Sequence, residues 1–130
     1  MGDSEFRADV AKNRLYLKMS GFFREDEGPE MVERLTAELR KLARGFDVIL
    51  DITGLRPGSP ETAEMLHVAG DLIRSHGRRR GVWIAGASAT ALMQFRRELG
   101  GMFDLETTRS AGTVAEAEKL LETWGSSRGR

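Results

Sequence analysis

Residues 46–51, Phe46-Asp47-Val48-Ile49-Leu50-Asp51, form a short, nearly continuous apolar run with an amphipathic helical stripe on either side. No other feature constrains the fold as strongly. A run this short and this rich in aliphatic residues fits a strand buried on both faces, as in parallel sheets. Strands separated by helices cannot pair through tight hairpins; they are joined by right-handed crossovers and lie mostly parallel. The sequence therefore predicts an α/β domain.

The remaining elements follow from period and punctuation. Phe6, Ala8 and Val10 alternate with Arg7, Asp9 and Ala11, and Leu15, Leu17 and Met19 resume the alternation after Lys12-Asn13. That pattern predicts an N-terminal β-hairpin. An acidic connection then leads to Pro29, which suits a first helical position, and Glu25, Asp26, Glu27 and Glu30 suit a helix start. Val32, Leu35, Leu39 and Leu42 make the first helical stripe, with Gly45 as its left-handed cap. Residues 54–58 read as a loop, and Ser59-Pro60 as the N-cap and first residue of a second helix ending at Gly77. Its inward residues are Met65, Leu66, Ala69, Leu72 and Ile73.

Residues 82–85 are the next buried strand, and Gly86-Ala87-Ser88 turns into a third helix carrying Leu92, Phe95 and Leu99 inward. Another strand is expected over 102–108. Thr113-Val114-Ala115-Glu116 is a capping box opening a last helix that buries Ala117, Leu120, Leu121 and Trp124. The expected order is β-β-α-β-α-β-α-β-α, with about five strands and four helices. One domain spans residues 1–124, followed by a polar, disordered tail over 125–130.

Composition removes several function classes. The chain has 130 residues, enough for one independent core, and no cysteine, so disulfides and thiolate metal sites are excluded. Twenty basic residues balance twenty acidic ones, without the surplus usual in nucleic-acid binders. No apolar run approaches the roughly 18 residues of a membrane span, and the acidic N-terminus is no signal peptide, so a cytoplasmic protein is expected. His67 and His76 stand nine residues apart, the wrong spacing for paired ligands on one helix, so no metal is expected. Ser88 lies in a strand-to-helix turn but lacks the final glycine of a nucleophile elbow and a histidine placed to activate it. Phosphate-binding glycine motifs are absent, and neither catalytic residues nor a cofactor are expected. Arg74, Arg78, Arg79 and Arg80 are the densest charge cluster, read as a solvated helix end at the N-terminal edge of the 82–85 strand.

The segment Asp51-Ile52-Thr53-Gly54-Leu55, with the strand before it and the helix after it, resembles the STAS domain of anti-sigma-factor antagonists. The likeness in element order covers nearly the whole chain, while the likeness in residues is concentrated at 51–55. It implies a regulatory protein-binding domain that docks a signalling protein, such as a kinase-type anti-sigma factor, and is switched by phosphorylation. The family's D-S-[ST]-G motif is replaced here by Gly58-Ser59-Pro60-Glu61-Thr62. Carried over, the resemblance gives Thr53, Gly54, Arg56, Ser59 and Glu61 as partner-binding residues and Ser59 or Thr62 as candidate phospho-acceptors. Ser59 is also fully explained as an N-cap, and Glu61 as an ordinary first-turn acid.

An alternative is a small hydrophobic ligand or lipid-binding module of the SEC14-like type. Phe22, Phe23, Met93, Phe95, Met102 and Phe103 would then line a pocket, although such residues more often form plain core. Partner identity and oligomeric state stay open at this level.

Overall fold

A computed structural model describes residues 3–21, 23–55, 60–84 and 107–128. It has a five-stranded mixed sheet in the order β1-β2-β3-β4-β5. The strands are β1 (Asp3–Asp9), β2 (Arg14–Gly21), β3 (Asp47–Leu55), β4 (Arg80–Ile84) and β5 (Thr108–Ala111). β1 and β2 form the antiparallel hairpin, and every later pairing is parallel. Three α-helices lie among the described residues: α1 (Gly28–Leu39), α2 (Pro60–Ser75) and α3 (Val114–Arg128). A single 3₁₀ turn, Glu25–Glu27, leads into α1. The third of the four expected helices, near residues 88–99, lies outside the described residues.

Alternation along the strands sorts the residues into two layers. Leu15, Leu17 and Met19 of β2 join Val48, Leu50 and Ile52 of β3 and Trp83 of β4 in one core, closed by α1 and α2. Ile49, Val82 and Ile84 point to the other face, where Ala117 and Leu121 of α3 cover them. The two β-α-β crossovers among the described residues step across the sheet in the same direction, so crossovers of one hand put α1 and α2 on one face. After the last strand, α3 returns over the opposite face.

The hairpin turn and its neighbours explain several boundaries. Asn13 adopts φ 52°, a left-handed conformation that asparagine tolerates. Its amide donates to the Ala43 carbonyl at 3.2 Å and accepts from the Ala43 N–H at 2.9 Å. Val10, expected on the strand face, belongs to this turn instead and is 63% exposed. Helix α1 ends at Leu39, before Leu42, because the peptide at Ala43 is taken by Asn13 rather than by a further helical turn. Gly45 is left-handed, at φ 89°, but lies beyond the helix and does not cap it. On the edge strand, the Ala8 N–H donates to Glu38 of α1 at 2.9 Å, which blocks one position open to edge-to-edge pairing.

The arginine cluster departs from the solvated reading. Asp47 and Arg80 are cross-strand partners in the β3–β4 register, and each is only 5% exposed. Arg80 donates from Nε and Nη2 to the two Asp47 oxygens at 3.1 and 2.7 Å, a bidentate pair. Arg79 adds a contact to the same carboxylate at 3.2 Å. Arg80 and Arg109 also lie over the Trp124 ring, 5.2 and 4.5 Å from its centre, tying α3 to the sheet. Next to them Glu118 of α3 accepts from Lys12, Arg14 and the Tyr16 hydroxyl, each at 3.0 Å. The N-terminal ends of the central strands are thus sealed by a charged clamp.

Elsewhere the elements shift. The strand expected at 102–108 overlaps β5 only at Thr108, and 102–106 lie outside the described residues. Thr113 caps α3 by accepting the Glu116 N–H at 3.1 Å, and the Glu116 carboxylate accepts the Gly112 N–H at 2.9 Å. Residues 125–128, expected in the polar tail, continue the backbone of α3.

Candidate functional site

In open α/β sheets the strand C-terminal ends, beside the helix starts, are where ligands and partners dock. Here that end is built by the last residues of β3, the first turns of α1 and α2, and the connection through Phe23.

β3 is longer than its apolar run suggests, because Gly54 and Leu55 belong to the strand and not to a loop. Pairing with β2 is regular from Asp47 to Asp51, opposite Arg14 to Lys18, and then slips: Ser20 faces Gly54 and Gly21 faces Leu55. Ile52 and Thr53 together oppose Met19, which is a β-bulge. The extra residue resets the period, so Leu50, Ile52 and Leu55 all reach the same core despite their uneven spacing. Thr53 is left out of the register and exposed. Its N–H and hydroxyl both donate to the Asp51 carboxylate, at 3.0 and 2.6 Å. Gly54 serves the same irregularity, since an added Cβ would sit 2.8 Å from the Ser20 Cβ. Its first role is to let the two strands approach.

Glu61 is exposed at the start of α2. Thr62, the other candidate phospho-acceptor, is 1% exposed, and its hydroxyl oxygen accepts the Phe23 N–H at 3.0 Å. That bond ties the entry of α1 to the first turn of α2. The resemblance makes Thr62 a candidate phospho-acceptor, but the polar group it satisfies comes from a residue 39 positions away. Arg56 and Ser59, like Ser88, lie outside the described residues.

One part of this end carried no assignment in the sequence. Between the first turns of α1 and α2 runs an open groove of about 570 Å³. Pro29, Met31, Val32, Met65 and Val68 supply its apolar surface, and Glu25, Glu61 and Glu64 its acidic rim. Val68 is 36% exposed, off the core stripe of α2. The spacing Glu61, Glu64, Met65, Val68 marks one face of a helix and was the signal available for it. Thr53 and Gly54 do not line the groove.

The interior under α2 is nearly filled. Its cavity measures about 50 Å³, among residues including Leu17, Leu50, Leu66, Ile73 and Trp83. Small-molecule sites generally need about 300 Å³ or more. The space beneath the third expected helix, where the SEC14-like alternative would put its pocket, lies outside the described residues. Among the described residues, no three His, Cys, Asp or Glu side chains gather as a metal-binding group. None of the described helices is long and apolar enough to cross a membrane.

No family model matches the chain, and no curated protein matches it.

Proposed function

We propose that this protein is a non-enzymatic regulatory domain of the STAS type, which binds a partner protein where the end of β3 meets the start of α2. The observation that carries the reading is the bulge at the end of β3. It takes Thr53 out of the strand register, leaves it exposed, and braces it on Asp51 at the sheet end used for docking. The element order supports the same reading, with an antiparallel hairpin feeding parallel strands and helices between them. Arg56 and Ser59 stand between Thr53 and the exposed Glu61 in sequence and complete the proposed contact set.

Ser59 is the candidate switch. A phosphate there would add about −1.5 to −2 charges next to Glu61, enough to reverse the preference for a charged partner. Thr62, with its hydroxyl buried, has no part in the switch.

Affinity capture from the native cell extract, comparing the full-length wild type with Ser59→Ala and Ser59→Asp, tests the reading. The Ala variant is expected to keep the wild-type partner and the Asp variant to lose most of it. Asp is itself a good N-cap, so loss of the helix start does not explain that outcome. Identical recovery by all three proteins removes the switch, and no specific partner for any of them removes the docking function.

A further inference from the structure

We propose that the end of the sheet where β2, β3 and β4 begin rests on an anionic phospholipid surface, with the hairpin turn inserted and a collar of arginine and lysine around it. The proposal stands apart from the docking function, because Thr53 lies at the other end of β3.

Three turns meet at this end. Asn13 of the hairpin turn holds Ala43, and the Asp47 N–H donates to the Asn13 carbonyl at 3.2 Å. The Gly45 N–H donates to the Gly77 carbonyl at 2.7 Å, and the Arg79 N–H to that of Phe46 at 2.8 Å. Segments 10–13, 40–46 and 76–79 therefore lie side by side. They contain six bases, Lys12, Arg40, Lys41, Arg44, Arg78 and Arg79, and no acid. A balanced total charge hides this local surplus. Acids of neighbouring elements offset part of it: Glu118 pairs with Lys12, Glu38 with Lys41, and Asp47 with Arg79. Arg40 and Arg44 are exposed, and among the described residues neither enters an ion pair. Helix dipoles do not account for the whole set. Their pull fades within the last turn, whereas Arg44 stands beyond the end of α1 and Lys12 in a hairpin.

The second observation is independent of charge. Val10 is 63% exposed in the hairpin turn, the most exposed large apolar side chain among the described residues, and Ala11 beside it is exposed too. A nucleic acid or an acidic peptide would meet the bases but leave Val10 in water. An anionic bilayer takes both. Its surface potential draws bases to the headgroups, and its interface accepts an apolar tip. One short tip and a few bases give a reversible, salt-sensitive attachment.

Co-sedimentation of the full chain with lipid vesicles tests this. Mixed phosphatidylcholine and phosphatidylserine vesicles are expected to bind it at least roughly tenfold more strongly than pure phosphatidylcholine at low salt, and to release it as salt rises. Arg40→Gln/Arg44→Gln is expected to lower binding roughly tenfold, and Arg40→Lys/Arg44→Lys to keep it. Val10→Ser should lower it about threefold, and Val10→Trp should raise it. Lys18→Gln/Arg24→Gln makes the same change in net charge away from these turns, and is expected to leave binding unchanged. All the substituted positions are exposed, and unchanged thermal midpoints verify that the variants fold. No binding, equal binding to both kinds of vesicle, or an equal loss in the two glutamine double variants overturns the proposal. So does indifference to Val10→Ser together with displacement from the vesicles by duplex DNA, because the surface would then serve a nucleic acid.

Discussion

Asp47→Ala is expected to destabilise the protein by about 3–5 kcal/mol, because it strands a buried guanidinium. Arg80 is 5% exposed, and both of its close contacts on Asp47 would vanish together. Measured against the roughly 5–15 kcal/mol that holds a typical domain together, such a loss leaves little margin. Chemical denaturation of wild type, Asp47→Ala and Asp47→Leu/Arg80→Met separates the causes. The double variant removes both charges and is expected to recover most of the loss; a double variant as unstable as the single would show that the pair itself supplies the stability.

The same carboxylate sets an acid limit. Burial pushes the Asp47 carboxyl up, but hydrogen bonds from Arg80 and then Arg79 outweigh it and hold the group below its ordinary value. A folded-state pKa below the unfolded one means stability that is present above the ordinary carboxylate range and lost as pH falls through the folded value. The double variant should lack that part of the acid loss.

Leu121→Ala is expected to cost about 2–5 kcal/mol, the usual range for a buried leucine whose site cannot collapse. Among the described residues the second core has few members: Leu121 and Ala117 are the buried residues that α3 lays over Ile49, Val82 and Ile84. Leu120→Ala, at a partly buried position, is expected to cost clearly less. Hydrogen exchange should locate the damage, with α3 amides opening in Leu121→Ala while β2 and β3 stay protected. Equal destabilisation by the two substitutions would contradict the assignment of faces on α3.

The sequence made the central sheet readable because its strands are local. Leu15, Leu17 and Met19 alternate, and the run at 46–51 has the length and composition of a buried strand. What escaped it depends on distant partners. The bulge at Ile52 and Thr53 is invisible in one strand, where spacings of two and then three residues look like a strand ending. Four arginines in seven positions read as a solvated end, and only the β3–β4 register reveals that Arg80 is the buried one. Thr62 looks like an exposed hydroxyl until Phe23 is brought to it. Leu42 fits the helical stripe, but Asn13, far away in the sequence, captures the backbone that would continue the helix. The groove was hidden for the same reason, since neither α1 nor α2 alone has one.

These observations give the domain two unlike ends: a charged clamp that holds α3 at the strand N-termini, and the tip of β3, where Thr53 is exposed. The most direct test compares partner capture by wild type, Thr53→Arg at the bulge, and Arg74→Glu, an exposed position near the C-terminal end of α2. Thr53→Arg should abolish most of the recovered partner while Arg74→Glu retains it; retention by Thr53→Arg with loss in Arg74→Glu would place docking at the clamp end and contradict the account.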